Sequence, residues 1–347
     1  MDFEWDVSLL DGYQHSFLRN VARKPSLQTF NGIDTPDIKE IIRQEKFDAV
    51  IINGWHYKSA WQAMRACWKT RTPVMARSDS TLHTERSFAK KASKLPLYRW
   101  FVPKLDACLP VGKWSRDYFL HYGARPERIF MVPHVVDVDA FRQETSQPEQ
   151  RENELRRQWQ LDEDSTVFLF AGKFIQKKRP MDFIEAIAAA HQRGARLMGL
   201  MVGDGPLRQA CEDRVRMCAA PIRFAGFLNQ SIMPLAYAVA DALVLPSDAG
   251  ETWGLVVNEA MASGKPCLVS DRAGCGPDLI VSGETGEIFP VGDIQSLASL
   301  LGSYSTRRER LREMGAKAER QMNIYSISAA VDGVVRAINA VSNGSAK

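Results

Sequence analysis

Several absences narrow what this chain can be. No stretch approaches the roughly 18 uninterrupted apolar residues that a membrane-spanning helix needs, and the acidic opening MDFEWDVSLLDG lacks the basic, apolar and small-residue order of an export signal. A cytoplasmic protein is therefore expected. Six cysteines (Cys67, Cys108, Cys211, Cys218, Cys267, Cys275) lie in apolar or helical contexts without C-x-x-C spacing. They read as buried, reduced thiols, with neither zinc site nor disulfide framework implied. No Gly-Lys-Ser/Thr follows a Gly-rich turn, and G-x-G-x-x-G is missing from the strand-to-helix turns, which excludes a P-loop and a dinucleotide fingerprint. Internal repeats and low-complexity tracts are missing too.

What is present is ordinary in bulk and uneven in detail. At 347 residues with 45% hydrophobic content, the chain can bury two cores rather than one. The net charge is only +4, yet Arg65 to Arg128 holds fourteen Lys or Arg against five Asp or Glu. That region is either a solvated basic face or one that meets an anionic surface or substrate. Nucleic acid is not an expected partner.

The apolar pattern alternates strand and helix. After an unpatterned start, in which Trp5 to Leu10 reads as a short strand, Thr35-Pro36 opens a helix reaching Lys46. Strands are expected at Asp48 to Asn53, at VMA (74–76), at Asp106 to Val111 and at Arg128 to Val132. Helices run through Trp61, Met64 and Trp68 and from Lys113 to Tyr122, the latter closed by Gly123. The basic segment LHTERSFAKKASKLPLYRWFVPKLD (82–106) reads as helix with a kink or break near Pro96. It is either a core helix with a wet basic side, the favoured reading, or a segment lying on an anionic membrane. PEQRENE (148–154) is polar and reads as a linker. A second series then follows, with strands at 167–172, 196–203, 222–226, 241–247, 265–270 and 286–290, each but the last followed by a helix or a turn-rich loop. The whole is an α/β chain, and ligands of such sheets bind beyond the carboxyl ends of the strands.

The stretch Pro246 to Gly276, PSDAGETWGLVVNEAMASGKPCLVSDRAGCG, organises the rest. Turn formers lead to Glu251, and Trp253 to Ser263 reads as a helix carrying Glu259. Eight positions of helical rise would set the two carboxylates ~12 Å apart on nearly one side. That suits the two ends of one ligand and not a shared proton. Between them the helix N-terminus offers the amides of Trp253, Gly254 and Leu255 with the positive end of the dipole. Such an arrangement asks for a sugar hydroxyl, a phosphate and a second hydroxyl-bearing ring.

Glu251 and Glu259, with seven residues between them, resemble the E-x7-E signature of retaining GT-B glycosyltransferases of family 4. The resemblance implies two Rossmann-like domains with a cleft between them, at 1–155 and 156–325, and a C-terminal helix (326–347) crossing back. It implies that Glu251 contacts the transferred sugar and that Glu259 holds the ribose. Lys173 and Lys178, in GKFIQKKRP, match cations that meet the diphosphate, so that no metal or other cofactor is needed. Gly203 and Gly205 match a G-x-G-P turn, Gly254, Leu255 and Val256 border the nucleotide, and DRAGCGP (271–277) resembles the loop over the donor. The donor would be a UDP- or GDP-sugar, and the acceptor a glycan, polysaccharide or lipid-linked glycan, with peripheral membrane contact through the basic first domain. Departures sit in the first domain. Asp79 stands where the family often has His, leaving His56 and His83 as the nearby imidazoles, and Asp79 and His56 are the candidates there. Pro133-His134-Val135-Val136-Asp137 replaces P-N-G-V-D. No apolar strand and Gly-rich loop precede Asp34, which reads as a shortened member. Binding of a nucleotide sugar without turnover, and epimerisation of UDP-N-acetylglucosamine, stay open as rival readings.

Overall fold

The computed structural model describes residue 6 and residues 10–84, 87–145 and 149–344. Most of the strand expected at Trp5 to Leu10 and the last three residues lie outside them. The chain divides into two compact units. One is built mainly from Val135–Ile327, the other from Leu9–Leu82, Arg86–His134 and Ser328–Lys347.

The second of these carries three parallel strands, β1 (Val50–Asn53), β2 (Val74–Ser78) and β3 (Ala107–Pro110), in that spatial order. Helices α1 (Ile38–Glu45), α2 (Lys58–Thr70), α3 (Phe88–Phe101) and α4 (Lys113–His121) alternate with them. Trp55, Met64, Tyr98, Phe101 and Phe119 form the core on their side. Of the kink or break expected near Pro96, the break does not occur, and α3 runs through the proline. Tyr98 and Phe101, one turn beyond, are buried against Trp55, and this packing offsets the hydrogen bond that proline removes. Arg128 to Val132, expected as a strand, makes only one bridge, Ile129 to Cys108. Phe130 and Val132 donate to the carbonyls of Cys108 and Pro110, but Pro110 has no amide hydrogen to return a bond.

In the other unit α5 (Val138–Thr145) and α6 (Glu149–Gln158) precede β4 (Thr166–Ala171). Residues 149–154 of the polar run read as a linker are thus helical, and they lie inside the compact unit that takes in Val135–Ile327. Arg156 explains this: its buried guanidinium donates to the carbonyls of Val239 (3.0 Å) and Ser165 (3.2 Å), pinning α6 to this unit. The series continues through α7 (Pro180–Gln192), β5 (Leu197–Val202), α8 (Arg208–Cys218), β6 (Ile222–Gly226) and α9 (Met233–Val239). It then runs through β7 (Ala242–Leu245), α10 (Leu255–Ala262), β8 (Cys267–Ser270), α11 (Gly276–Leu279) and β9 (Gly286–Phe289). Helices α12 (Ile294–Ser305) and α13 (Arg308–Gln321) complete the unit. All six strands are parallel in the order β6-β5-β4-β7-β8-β9. Strand order reverses between β4 and β7, so the loops leaving their carboxyl ends open a crevice at the switch point.

The last helix, α14 (Ile327–Gly344), packs Ala337 and Val341 onto Met75, Leu109 and Val132 of the three-stranded unit. A window within Arg308–Ser342 is long and apolar enough to cross a membrane by length and composition alone. Asp332 and Arg336 interrupt that window, so it is not an uninterrupted apolar stretch of the kind the sequence was searched for.

One glycine contact fixes the mouth of the large sheet. A Cβ at Gly203, where φ is +128°, would lie 2.0 Å from the Gly172 carbonyl oxygen, whereas at Gly194, where φ is +88°, it would meet nothing within 4 Å. Gly203→Ala should therefore lower stability by ~3 kcal/mol or more and Gly194→Ala by only ~1 kcal/mol, read from urea unfolding of each variant. Equal losses would show that φ alone, and not the close approach, governs Gly203.

Candidate active site

The crevice loops are tied together before any ligand is considered. The loop after β4 turns through Gln176–Lys178 and enters α7 by way of Arg179, whose φ of 52° is left-handed. The loop after β7 meets it: the Asp248 amide donates to the Lys177 carbonyl (2.9 Å) and Lys177 Nζ to the Gly250 carbonyl (3.3 Å). With the backbones fixed this way, Lys178 Nζ pairs with Glu251 Oε2. Both side chains are nearly out of solvent, at 15% and 10% exposure. Ser247 Oγ lies 3.4 Å from the same carboxylate oxygen. Glu251 also anchors the third loop, since its carbonyl accepts from the Gly274 amide at 3.0 Å, inside the DRAGCGP segment.

Helix α10 begins at Leu255, later than expected, because Gly254 before it is left-handed, with φ +107°. A side chain there would also press on Leu245, whose Cδ2 is 2.8 Å from the position of a Cβ. No side chain caps this N-terminus, Leu255 is exposed and Val256 is half-buried. One turn further on, Glu259 Oε2 accepts a 2.6 Å hydrogen bond from Tyr237 Oη, on α9. Burial pushes the Glu259 carboxyl up to about 7, opposed by the Tyr237 hydrogen bond and by the charge of Lys178. Lys178 is thus felt by both carboxylates. Tyr237, itself buried, has its phenol held well above the usual range by burial and by Glu259. The sequence reading passed over Tyr237, whose signal is the one polar side chain in the apolar helix MPLAYAV.

Not every expected residue joins this group. Lys173 is exposed on the same loop and takes no part in the Lys178–Glu251 pair. At Gly203 and Gly205 the protein's own backbone leaves no room for a side chain. A Cβ on Gly205 would lie 2.7 Å from the Phe174 carbonyl oxygen, and the Phe174 amide donates to the Asp204 carbonyl at 2.9 Å.

In the three-stranded unit, His56 is exposed beside the Tyr57 ring. Asp79 belongs to a polar group at the end of β2. There Arg77 donates to the Pro133 carbonyl (3.2 Å) and lies 3.3 Å from His134 Nδ1. Burial, then Arg77, lowers the His134 imidazole to about 4, against the pull of Asp79. Arg77 and His134 were not singled out from sequence. The PHVVD turn held the clue, as His replaces a neutral residue next to Pro133.

Two units with parallel sheets, one of them doubly wound with charged groups at its switch point, define the GT-B class of glycosyltransferase folds. The solved structure of Anabaena Alr3699/HepE in complex with UDP superposes with a TM-score of 0.74 at 18% identity, covering 88% of this chain and 82% of that one. The chain belongs to the glycosyl transferases group 1 family: the model of that name matches residues 151–321, and the Glycosyltransferase Family 4 model matches residues 5–140. Sulfoquinovosyl transferase SQD2 of Arabidopsis thaliana is 37% identical over 132 residues, which is 37% of this chain and 25% of the relative. A D-inositol 3-phosphate glycosyltransferase of Corynebacterium glutamicum (strain R) is 31% identical over 204 residues, 55% of this chain and 48% of the relative. The matches thus span a quarter to a half of the length of these relatives.

Removing Lys178 leaves Glu251 buried without its counter-charge, so Lys178→Ala should lose ~3 kcal/mol in unfolding free energy. Replacing both partners, as Lys178→Met with Glu251→Gln, should restore most of that loss. Glu259 gives a pH signature. Its folded value near 7 lies above the unfolded 4.5, so the folded state holds the proton more tightly. Stability then falls as pH rises through that window, by ~3 kcal/mol in all. Glu259→Gln should match the parent near pH ~4 and exceed it by up to ~3 kcal/mol near pH ~8, measured by urea unfolding at each pH.

Proposed function

We propose that this chain transfers a sugar from a nucleotide diphosphate sugar to an acceptor hydroxyl with retention of anomeric configuration. The observation that carries the reading is Lys178, a nearly buried cation held by Glu251 and sensed by Glu259 at the switch point of the large sheet. A diphosphate entering the crevice supplies a stronger counter-charge than one carboxylate. Lys178 then turns to the phosphates, and Glu251 is released to accept from sugar hydroxyls. The uncapped amides before Leu255 and Val256 add fixed positive ends for the same charge. Lys173, exposed on the same loop, is free to swing in from solvent. Stabilising the departing diphosphate with such groups substitutes for a divalent metal. Glu259, ionised, accepts from the ribose hydroxyls while Tyr237 holds its other side. The leaving phosphate receives the acceptor's proton on the face it departs from.

The donor is a UDP- or GDP-sugar. The acceptor is a glycan or lipid-linked glycan, met on the cytoplasmic side with the basic three-stranded unit toward the membrane.

Radiolabelled UDP-glucose and GDP-mannose, incubated with the purified chain, test this reading. Slow donor hydrolysis that releases the sugar with its configuration retained is expected. Lys178→Ala and Glu251→Gln should each reduce it ~100-fold or more. Glu259→Gln should instead weaken nucleotide binding ~10-fold or more. Binding without hydrolysis would favour a carrier of nucleotide sugars, and hydrolysis unaffected by Lys178→Ala would remove the proposed role of that cation.

A further inference from the structure

The three-stranded unit holds an open cavity of about 1360 Å³ walled by residues of α1, α2 and α3. Its lining is rich in aromatic rings. Trp61 and Trp68 come from α2, Tyr98 from α3, and Trp55 from the end of β1, its carbonyl accepting from Trp61 Nε1 at 3.0 Å.

The wall is cationic. Lys39, Arg43, Lys58, Arg65, Lys69 and Lys94 line it, against two carboxylates, Asp34 and Glu40. Both carboxylates are already engaged, Asp34 by Lys58 and Gln62 and Glu40 by Arg43. Arg65 and Lys69, one turn apart on α2 and both exposed, have no third wall carboxylate among the described residues to neutralise them. The surrounding chain repeats the bias: Leu9 to His134 contains 21 Lys or Arg and 11 Asp or Glu.

Two further observations point to a ligand with both a polar and an apolar part. The indole N–H of Trp68 is buried and finds no hydrogen-bond partner among the described residues, and buried donors are rarely left unpaired. Beside it the surface stays apolar. The Trp68 ring meets that of Trp100 edge-on at 5.9 Å, Trp100 is 51% exposed, and Lys104 Nζ sits 3.7 Å over its ring. Leu97 and Phe30, also on the cavity wall, are 45% and 47% exposed. Exposed indole beside lysine and arginine is the chemistry of a bilayer interface, where rings sit at head-group depth and cations meet phosphate.

We propose that this groove docks an anionic membrane lipid, with the phosphate of its head group on Arg65, Lys69 and Lys94 and its hydrocarbon against Trp61, Trp68 and Leu97. The proposal gives the peripheral membrane contact a place and a ligand class. It does not depend on which donor the other unit binds.

Co-sedimentation of the purified chain with phosphatidylcholine vesicles, with and without phosphatidylglycerol, tests it. Binding is expected only where phosphatidylglycerol is present. Arg65→Gln with Lys69→Gln should weaken it ~30-fold, taking about fivefold per cation near an anionic surface. Trp100→Ser should weaken it as well. A control pair on α13, Arg312→Gln with Lys317→Gln, removes the same charge elsewhere and should have little effect. Thermal melting and UDP affinity, measured on every variant, should stay at parental values, which separates this result from the donor reading. Equal losses in the two double variants would reduce the effect to net charge and overturn the groove. So would undiminished binding by the α2 variant, binding to phosphatidylcholine alone, or no binding to either vesicle.

Discussion

The ion pair between Lys178 and Glu251 is the interaction on which the rest of the large unit's mouth depends. Two charges at 15% and 10% exposure have given up most of their hydration, and each other's proximity, with the Ser247 hydroxyl beside Glu251, offsets that loss. The pair can form because strand order reverses between β4 and β7, so that the loops leaving those strands face one another. Backbone hydrogen bonds from Asp248 to Lys177 and from Gly274 to Glu251 then hold three loops in register around it. Under the proposed function the pair is poised for exchange: an anionic ligand takes the cation and leaves the carboxylate to accept from hydroxyls.

Glu259 shows the same tension in a second form. Its carboxyl is held near 7, chiefly by burial, although Tyr237 and Lys178 both favour the ionised state. A carboxylate kept partly against its inclination lowers the stability of the empty protein, and it gains most when a ligand supplies the missing donors. Under the proposed function, ligand binding and maximal stability pull apart at this one residue.

Much of this was legible in the sequence, and the limits have physical causes. Continuous apolar strands such as TVFLFA and LMGLMV, buried at every position, could be read directly, because a parallel sheet covered on both faces admits nothing else. Glu251, Glu259 and Lys178 were visible through spacing and resemblance. Tyr237 was not, since its partner lies 22 positions away and no local pattern links them. The Gly-x-Gly turn was legible as a need for glycine, but only coordinates show that the neighbour is the Gly172 and Phe174 backbone. Helix α6 was misread because charge was taken for solvation, while Arg156 reaches the Val239 carbonyl on α9, 83 positions along the chain, and that of Ser165 beside β4. At Pro96 the converse held: local propensity allowed a kink or a break, and the helix stays continuous where Tyr98 and Phe101 pack.

The most direct test of the central pair is a crystal structure of the chain soaked with UDP. The account predicts that Lys178 Nζ leaves Glu251 Oε2 for an oxygen of the diphosphate, while Glu259 accepts from the ribose hydroxyls. UDP bound with Lys178 still on Glu251, or bound away from the β4 and β7 loops, would contradict it.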